Sequence, residues 1–302
     1  LKKTIDWMRE SGDKRKYTLI TGSSSGIGKA MAEECAKRNQ NLILAALPNT
    51  GLEQVKIYLQ NKYTVDIKIF ELNLTKHESI QNLYDWCDDQ NLSIDKLINN
   101  AGIGDCSYFE STDINFYLDM IQLNAQAVLT MTKLFIPKLR EHKQSYILNT
   151  GSFAALMPVP FKSVYSATKS FVLAFSRALE MELKEFGIHV SCVCPGPTST
   201  EVLMARHEAM GQKSDFLIMT PEEVAKLAID GLLSHKGLIV PGWKNKLLLN
   251  VDLVMPHKLK NYILKRIFKK GVLQNVVNEE HVVPEAILIH EPDFSSSIQK
   301  TI

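Results

Sequence analysis

Apolar positions in this chain switch repeatedly between strand-like runs and helical spacing. Tyr17–Thr21 is a short β-prone run that stops at Gly22, and Ile27, Met31 and Cys35 then recur at i, i+4 and i+8. Leu42–Ala46 is a continuous apolar run bounded by Asn41 and Pro48, which predicts a strand buried on both faces. The alternation continues with a helix over 51–62, a strand near 65–72, a helix over 77–90 and a strand at 96–99. A long helix over 113–140, a strand at 146–150, a helix over 163–186 and strands at 188–194 and 238–240 complete it. Strands separated by helices of this length need right-handed crossovers, so the pattern predicts a single α/β domain over 17–242 with a parallel, doubly wound sheet. Residues 1–16 form an N-terminal segment and 243–302 a C-terminal extension. No internal repeat or low-complexity linker interrupts the domain.

Composition narrows the possibilities without naming a chemistry. Of 302 residues, 45% are apolar and 23% charged, which is ordinary for a globular chain and excludes wholesale disorder. No apolar stretch is long enough for a spanning helix. A net charge of +2 gives no global reason to expect nucleic acid as a partner. That near-neutrality hides an uneven distribution: residues 243–270 carry eight Lys/Arg against Asp252 alone, and 271–302 carry five acids against Lys300. Within 257–270, Leu259, Ile263 and Ile267 fall on one side of a helix and Lys258, Lys265 and Lys269 on the other. Such a helix suits peripheral contact with an anionic membrane, and equally a sister subunit or a lid over a pocket. The five cysteines contain no C-x-x-C pair, so no metal site is expected. Cys192 and Cys194 fall on one face of a strand as small buried hydrophobes of a reducing compartment. The opening LKKTIDWMRE lacks the apolar core of a secretion signal, and the expected location is cytoplasmic, with membrane association left open.

The first strand runs into Thr21-Gly22-Ser23-Ser24-Ser25-Gly26-Ile27-Gly28, where a helix opens. Glycines let backbone approach a pyrophosphate, the helix start offers unpaired N–H groups and a positive dipole end, and the serines add hydroxyl donors. A Walker A loop is excluded, because Ser23 stands five before Gly28 and Ala30 follows Lys29. Gly22–Gly26 matches the G-x-S-x-G elbow of serine hydrolases, with Ser24 as nucleophile, although few residues precede it. At the end of the second strand, where an acid would read the ribose of NAD, stand Ala46 and Leu47. With no carboxylate to repel a 2′-phosphate, and with Asn49 and Thr50 as donors, the expected cofactor is NADP(H), with NAD(H) the alternative.

Tyr165 and Lys169, in YSATK, stand at i and i+4 near a helix start and project from one face. A cation beside a phenol favours the phenolate and brings it toward working range as an acid/base. Tyr58 and Lys62 repeat the spacing, but thirteen residues before Tyr58 lies Ala45 inside a strand. Thirteen before Tyr165 lies Ser152, just past an apolar strand, where its hydroxyl can face a cleft at the sheet's carboxyl edge.

Together TGSSSGIG at 21–28, NNAG at 99–102, Ser152, YSATK at 165–169 and PGPTST at 195–200 resemble the short-chain dehydrogenase/reductase family in order and spacing. The resemblance implies a Rossmann-type, seven-stranded parallel sheet with helices on both faces. It implies that Tyr165 donates a proton to the carbonyl oxygen as hydride arrives, that Lys169 assists it and binds the nicotinamide ribose, and that Ser152 holds the substrate oxygen. Asn124 matches a relay asparagine supporting a proton path. Gly22, Ser24, Ser25, Gly26, Ile27 and Gly28 would hold the pyrophosphate, with Leu47 near the ribose. Asn73, where the family usually has Asp, and Leu74 would take the adenine side, since an amide oxygen can also pair with the adenine amine. Asn100, Ala101 and Gly102 would line the cleft, and Pro195, Gly196, Thr198 and Thr200 would hold the nicotinamide. The extension, entered by PGWKNK at 241–246, resembles one in a bacterial subgroup, and the family implies a homodimer or tetramer.

Phe153, Leu156, Met157 and Phe161 after Ser152 are candidate substrate-pocket residues. Leu203 and Met204 join them from an apolar, Met-rich lid over 198–220. Met adapts to irregular apolar shapes, so a lipophilic carbonyl or secondary-alcohol substrate is expected, with the enzyme working as a reductase. The alternatives are a regulatory protein that binds a dinucleotide without turnover and the Ser24 hydrolase.

Overall fold

A computed structural model gives the architecture and describes residues 15–201, 204 and 218–277. The expectations for 1–14, for the tail beyond 277 and for most of the lid, Leu203 included, lie outside the described residues.

Seven strands form one sheet: β1 Lys16–Thr21, β2 Asn41–Ala46, β3 Ile67–Glu71, β4 Ser93–Asn99, β5 Ser145–Thr150, β6 Ile188–Val193 and β7 Leu238–Ile239. Their order is β3-β2-β1-β4-β5-β6-β7, with every pairing parallel. β1 through β6 are almost wholly buried along their length apart from β3 at the edge, as a sheet between two helical layers requires, and β4 buries even Asp95 and Lys96, paired at 2.6 Å.

One layer contains α1 Gly26–Lys37, α2 Leu52–Lys62 and α7 Pro221–Leu233, which bury Met31, Cys35, Leu59 and Ala228 against Ile20, Leu44 and Val193. The other contains α3 His77–Asp89, α4 Ile114–Ile121, α5 Ala127–Arg140 and α6 Ser163–Leu183, with Leu83, Phe135 and Leu183 packed on Leu19, Leu97 and Ile147. Local signals set several helix starts. The Asp113 carboxylate accepts from the Asn115 N–H at the head of α4, and Thr220 and Glu223 close a reciprocal capping box on α7.

The long helix expected over 113–140 is continuous in path but not in hydrogen bonding. A π-turn at Gln122–Gln126 separates α4 from α5, and fully buried Asn124 lies in it. One extra residue per turn widens the helix there, a distortion that residue periodicity does not register.

Beyond the sheet the chain continues as α8 Trp243–Val254 and α9 His257–Val277. The basic segment, whose facing the sequence left open, is settled only in part, with Ile263 half-buried. Leu259 on the apolar side is exposed, and Leu264, outside the three positions named for that side, is buried with Phe153 and Met157. Leu248, Leu249 and Phe268 pack on the same cluster, so α8 and α9 cover the chain just after Ser152.

Candidate active site

All connections are parallel, so the carboxyl ends of β1 to β6 share one edge, and the strand order reverses between β1 and β4. A crevice at such a switch point is where open α/β sheets bind ligands. The candidate residues fall here: 22–28 after β1, Leu47 after β2, Asn73 and Leu74 after β3, 100–102 after β4, Ser152 after β5 and 195–200 after β6.

The glycine turn is shaped by lack of space. A side chain on Gly28 would lie 2.0 Å from the Gly22 carbonyl oxygen and 2.5 Å from Asn100 Nδ2, and one on Gly22 would meet the Ala101 backbone at 2.8 Å. Gly22 and Gly26 also take positive φ values, 64° and 53°. Asn100 ties the turn to β4 by donating Nδ2 to the carbonyls of Thr21 and Gly22, each at 3.2 Å. Fully buried Ser23 donates to the Ala45 carbonyl, Ser24 is half-buried and Ser25 is exposed. The head of α1 has no acid in its first turn, and its N-cap Ser25 makes no side-chain cap bond. That uncapped terminus fits a pyrophosphate, because its N–H groups keep their capacity to bind an anion.

Beyond β2, Thr50 donates its hydroxyl to the Leu47 carbonyl at 2.7 Å, which commits one of the two donors expected there; exposed Asn49 is the other. Asn73 Oδ1 accepts from both the N–H and the hydroxyl of Thr75, at 3.0 and 2.8 Å. Its Nδ2 is then the arm it can offer an adenine ring, a donor where the expected amide oxygen would have been an acceptor. Leu74 is buried in the core cluster. The Pro195–Thr200 segment crosses above the glycine turn. Thr198 donates to the Gly196 carbonyl, and the Thr200 methyl lies 3.2 Å from where a Gly26 side chain would begin.

On α6, Lys169 is buried and donates Nζ to the Thr150 carbonyl at 2.9 Å, two residues before Ser152. Burial, with no carboxylate beside it among the described residues, lowers its pKa to about 8. Nζ lies 5.9 Å from the Tyr165 ring centroid, and Lys162 Nζ lies 5.8 Å from the same ring. Gly104 admits the ring, since a side chain there would meet its edge at 2.8 Å. The repeated spacing at Tyr58 and Lys62 has a different setting: both are exposed, and Lys62 forms an ion pair with Glu33 at 2.8 Å.

Ser152 Oγ accepts from the Ala154 N–H at 3.2 Å, which fixes its rotamer at the start of a short 3-10 turn. Asn124 spends its amide on the loop after β4. Oδ1 accepts from the Ile103 N–H, and Nδ2 donates to the Ile103 carbonyl and to Thr168 Oγ1. This is a clamp on the loop flanking Lys169, where a side chain on Gly102 would approach both Asn124 and Lys169.

The expected pocket residues divide. Phe161, at positive φ, stacks edge-on with Tyr108 and borders a small recess with Tyr165, Tyr117 and Met120. Phe153 and Met157 face α8 and α9, Leu156 packs toward Val172 and Cys192, and Met204 is exposed. Sequence reasoning missed Asn245 on α8. It is buried, donates to the Pro241 carbonyl at 2.8 Å and lies against Gly196, where any side chain would strike it at 2.6 Å. The signal was an amide inside PGWKNK, spaced to face inward with Leu248 and Leu249.

The family model for short chain dehydrogenases matches residues 16–211. The chain belongs to that family. Among its relatives, a very-long-chain 3-oxoacyl-CoA reductase-B of Danio rerio is 31% identical over 250 residues, spanning 79% of this chain and 78% of its own length. An NADP-dependent 3-hydroxy acid dehydrogenase of Schizosaccharomyces pombe is 32% identical over 233 residues, 74% of this chain and 90% of that one. A solved short-chain dehydrogenase from Sphingobium yanoikuyae in complex with NADPH is 26% identical, with a TM-score of 0.68 over 80% of this chain and 97% of that one. The protein is thus an oxidoreductase of CH–OH and C=O groups, and both the Ser24 hydrolase and the non-catalytic reading fall.

Proposed function

We propose that this protein is an NADP(H)-dependent reductase of a keto group carried on a long apolar chain. The observation that carries the reading is the buried Lys169 ammonium, bonded to Thr150 beside Ser152 and one helical turn from Tyr165. A bound nicotinamide dinucleotide supplies the hydride. Its diphosphate would rest on the uncapped head of α1 and the turn from Gly22 to Gly28, and Pro195–Thr198 would border the nicotinamide side of the crevice.

Ser152 orients the substrate oxygen, held by its bond from Ala154. Tyr165 delivers the proton to that oxygen, and Lys169 supplies positive charge where negative charge develops. Asn124 holds the loop at 102–104 so that Tyr165 and Lys169 keep their places. The 3-oxoacyl chemistry in the names of relatives supports a lipid ketone, as does the apolar cluster of Phe153 and Met157 beneath Leu264.

NADPH is expected to bind about tenfold more tightly than NADH in a fluorescence titration, a modest factor because the turn Leu47–Thr50 after β2 holds no Arg. Turnover of a ladder of 3-oxo thioesters should rise in kcat/KM with chain length, by about fourfold per added methylene while buried surface grows. A flat ladder would remove the lipid substrate, and tighter NADH binding would reverse the cofactor.

Exposed Ile114, Leu118 and Ile121 on α4, Leu129 on α5 and Phe171 on α6 leave an apolar face on one side of the domain. This face pairs with a second copy in the homodimer or tetramer that the family resemblance implies. The double variant Leu118→Glu, Leu129→Glu should run as a monomer in light scattering; an unchanged mass would place the interface elsewhere.

A further inference from the structure

The two helices that roof the cleft have a second side. Along α8, Asn245, Leu248 and Leu249 turn inward, whereas Trp243, Leu247 and Val251, at i, i+4 and i+8, are 69%, 55% and 40% exposed. Along α9, Leu264 and Phe268 turn inward, whereas Leu259 and Tyr262 are 49% and 63% exposed. Lys246, Lys258, Lys265, Arg266 and Lys269 are exposed around these apolar side chains. Single exposed hydrophobics need no explanation, but a stripe of this size on consecutive helices marks a contact surface.

We infer that the outward face of α8 and α9 docks on an anionic lipid bilayer, so that the wall over the substrate cleft is also the protein's lipid-facing surface. The outward Trp and Tyr belong to the residue types that settle at the headgroup level of a membrane. The eight Lys/Arg of 243–270, against Asp252, complement anionic headgroups rather than a neutral interface. Charge also decides against self-association through this face. A two-fold contact sets the same patch against itself and would bring two strongly basic surfaces together. Among the described residues no helix is long and apolar enough to cross a bilayer, so these helices lie on the surface.

The consequence for catalysis rests on the lipid-substrate reading. The inner face of α8 and α9 touches Phe153 and Met157, next to Ser152, and the outer face touches lipid. An apolar chain can then pass from bilayer to cleft around helices that contact both.

The test is co-sedimentation of the full chain with vesicles of phosphatidylcholine alone or with about 30% phosphatidylserine. Binding to the anionic vesicles should be at least about tenfold stronger and should fall with added salt. The apolar variant Trp243→Ser, Leu247→Ser, Tyr262→Ser and the charge variant Lys258→Glu, Arg266→Glu should each lose about tenfold or more. Both should reduce a short, water-soluble ketone at the parent rate, since none of these side chains faces the cleft. Equal binding to the two vesicle types, no binding, or unaffected variants would overturn the proposal. So would a concentration-dependent oligomer that the apolar variant abolishes, which would assign the face to a second copy. A flat chain-length ladder with intact vesicle binding would leave the docking surface standing and remove only the lipid substrate.

Discussion

Tyr165→Phe is expected to lower kcat by about 10²–10⁴-fold while dinucleotide affinity stays within about threefold. The substitution removes one oxygen and leaves the ring, so the contact with Gly104 and the positions of Lys162 and Lys169 over its face survive. No hydroxyl remains at that place to carry the proton. The loss should sit in kcat, because the group acts on the reacting oxygen and not on the diphosphate turn some strands away. The companion variant Tyr58→Phe should leave kcat unchanged, although Tyr58 and Lys62 have the same spacing. The measurement is steady-state reduction with NADPH beside a fluorescence titration of the same samples. A Tyr165→Phe enzyme with near-parental kcat would remove Tyr165 from the chemistry.

The two tyrosine–lysine pairs also show what was legible in the sequence and what was not. Alternation of period located every strand through its apolar stretch, but missed the start of β4, where Ser93 and Asp95 are buried and Asp95 pairs with buried Lys96 at 2.6 Å. The glycine turn was legible because Gly28 and Gly22 occupy positions where a side chain collides with backbone. Residues whose role depends on distant contacts were harder to read. The clamp from Asn124 to Ile103 spans a π-turn and 21 positions, and local pattern carries no trace of it. Asn73 looked ready to accept from an adenine amine until Thr75, two residues on, took its oxygen.

The facing of the extension was illegible for a related reason. A helical wheel gives the apolar side only when one side is apolar, and α9 has Leu259 and Tyr262 facing out as well as Leu264 and Phe268 facing in. With both faces partly apolar, the packing partner decides which is inside. That partner, Phe153 and Met157, lies about a hundred residues upstream. The ambiguity is the same property that leaves an outward stripe for a membrane to cover.

Lys169→Met should separate activity from stability in opposite directions. Loss of the ammonium beside Tyr165 is expected to lower kcat/KM by about 10³-fold or more. The fold should gain or hold its stability at pH 7. Burial lowers the lysine from its ordinary 10.5 to about 8, so keeping it charged in the folded state costs on the order of 3 kcal/mol below pH 8. The methionine leaves the Thr150 carbonyl without its donor, which returns about 1–3 kcal/mol of that gain. Between pH 8 and 10.5 the unfolded chain binds more protons at this position than the folded one, so the parent's stability rises with pH relative to the variant. Thermal melts of the two proteins should therefore show the variant level or a few degrees higher at pH 7, with the difference shrinking or reversing by pH 10. A parent that is the more stable at pH 7, with a gap independent of pH, would mean that Lys169 carries no strained charge in the folded protein. The site would then have to place its positive charge on another group, and Lys162 is the one already over the same ring.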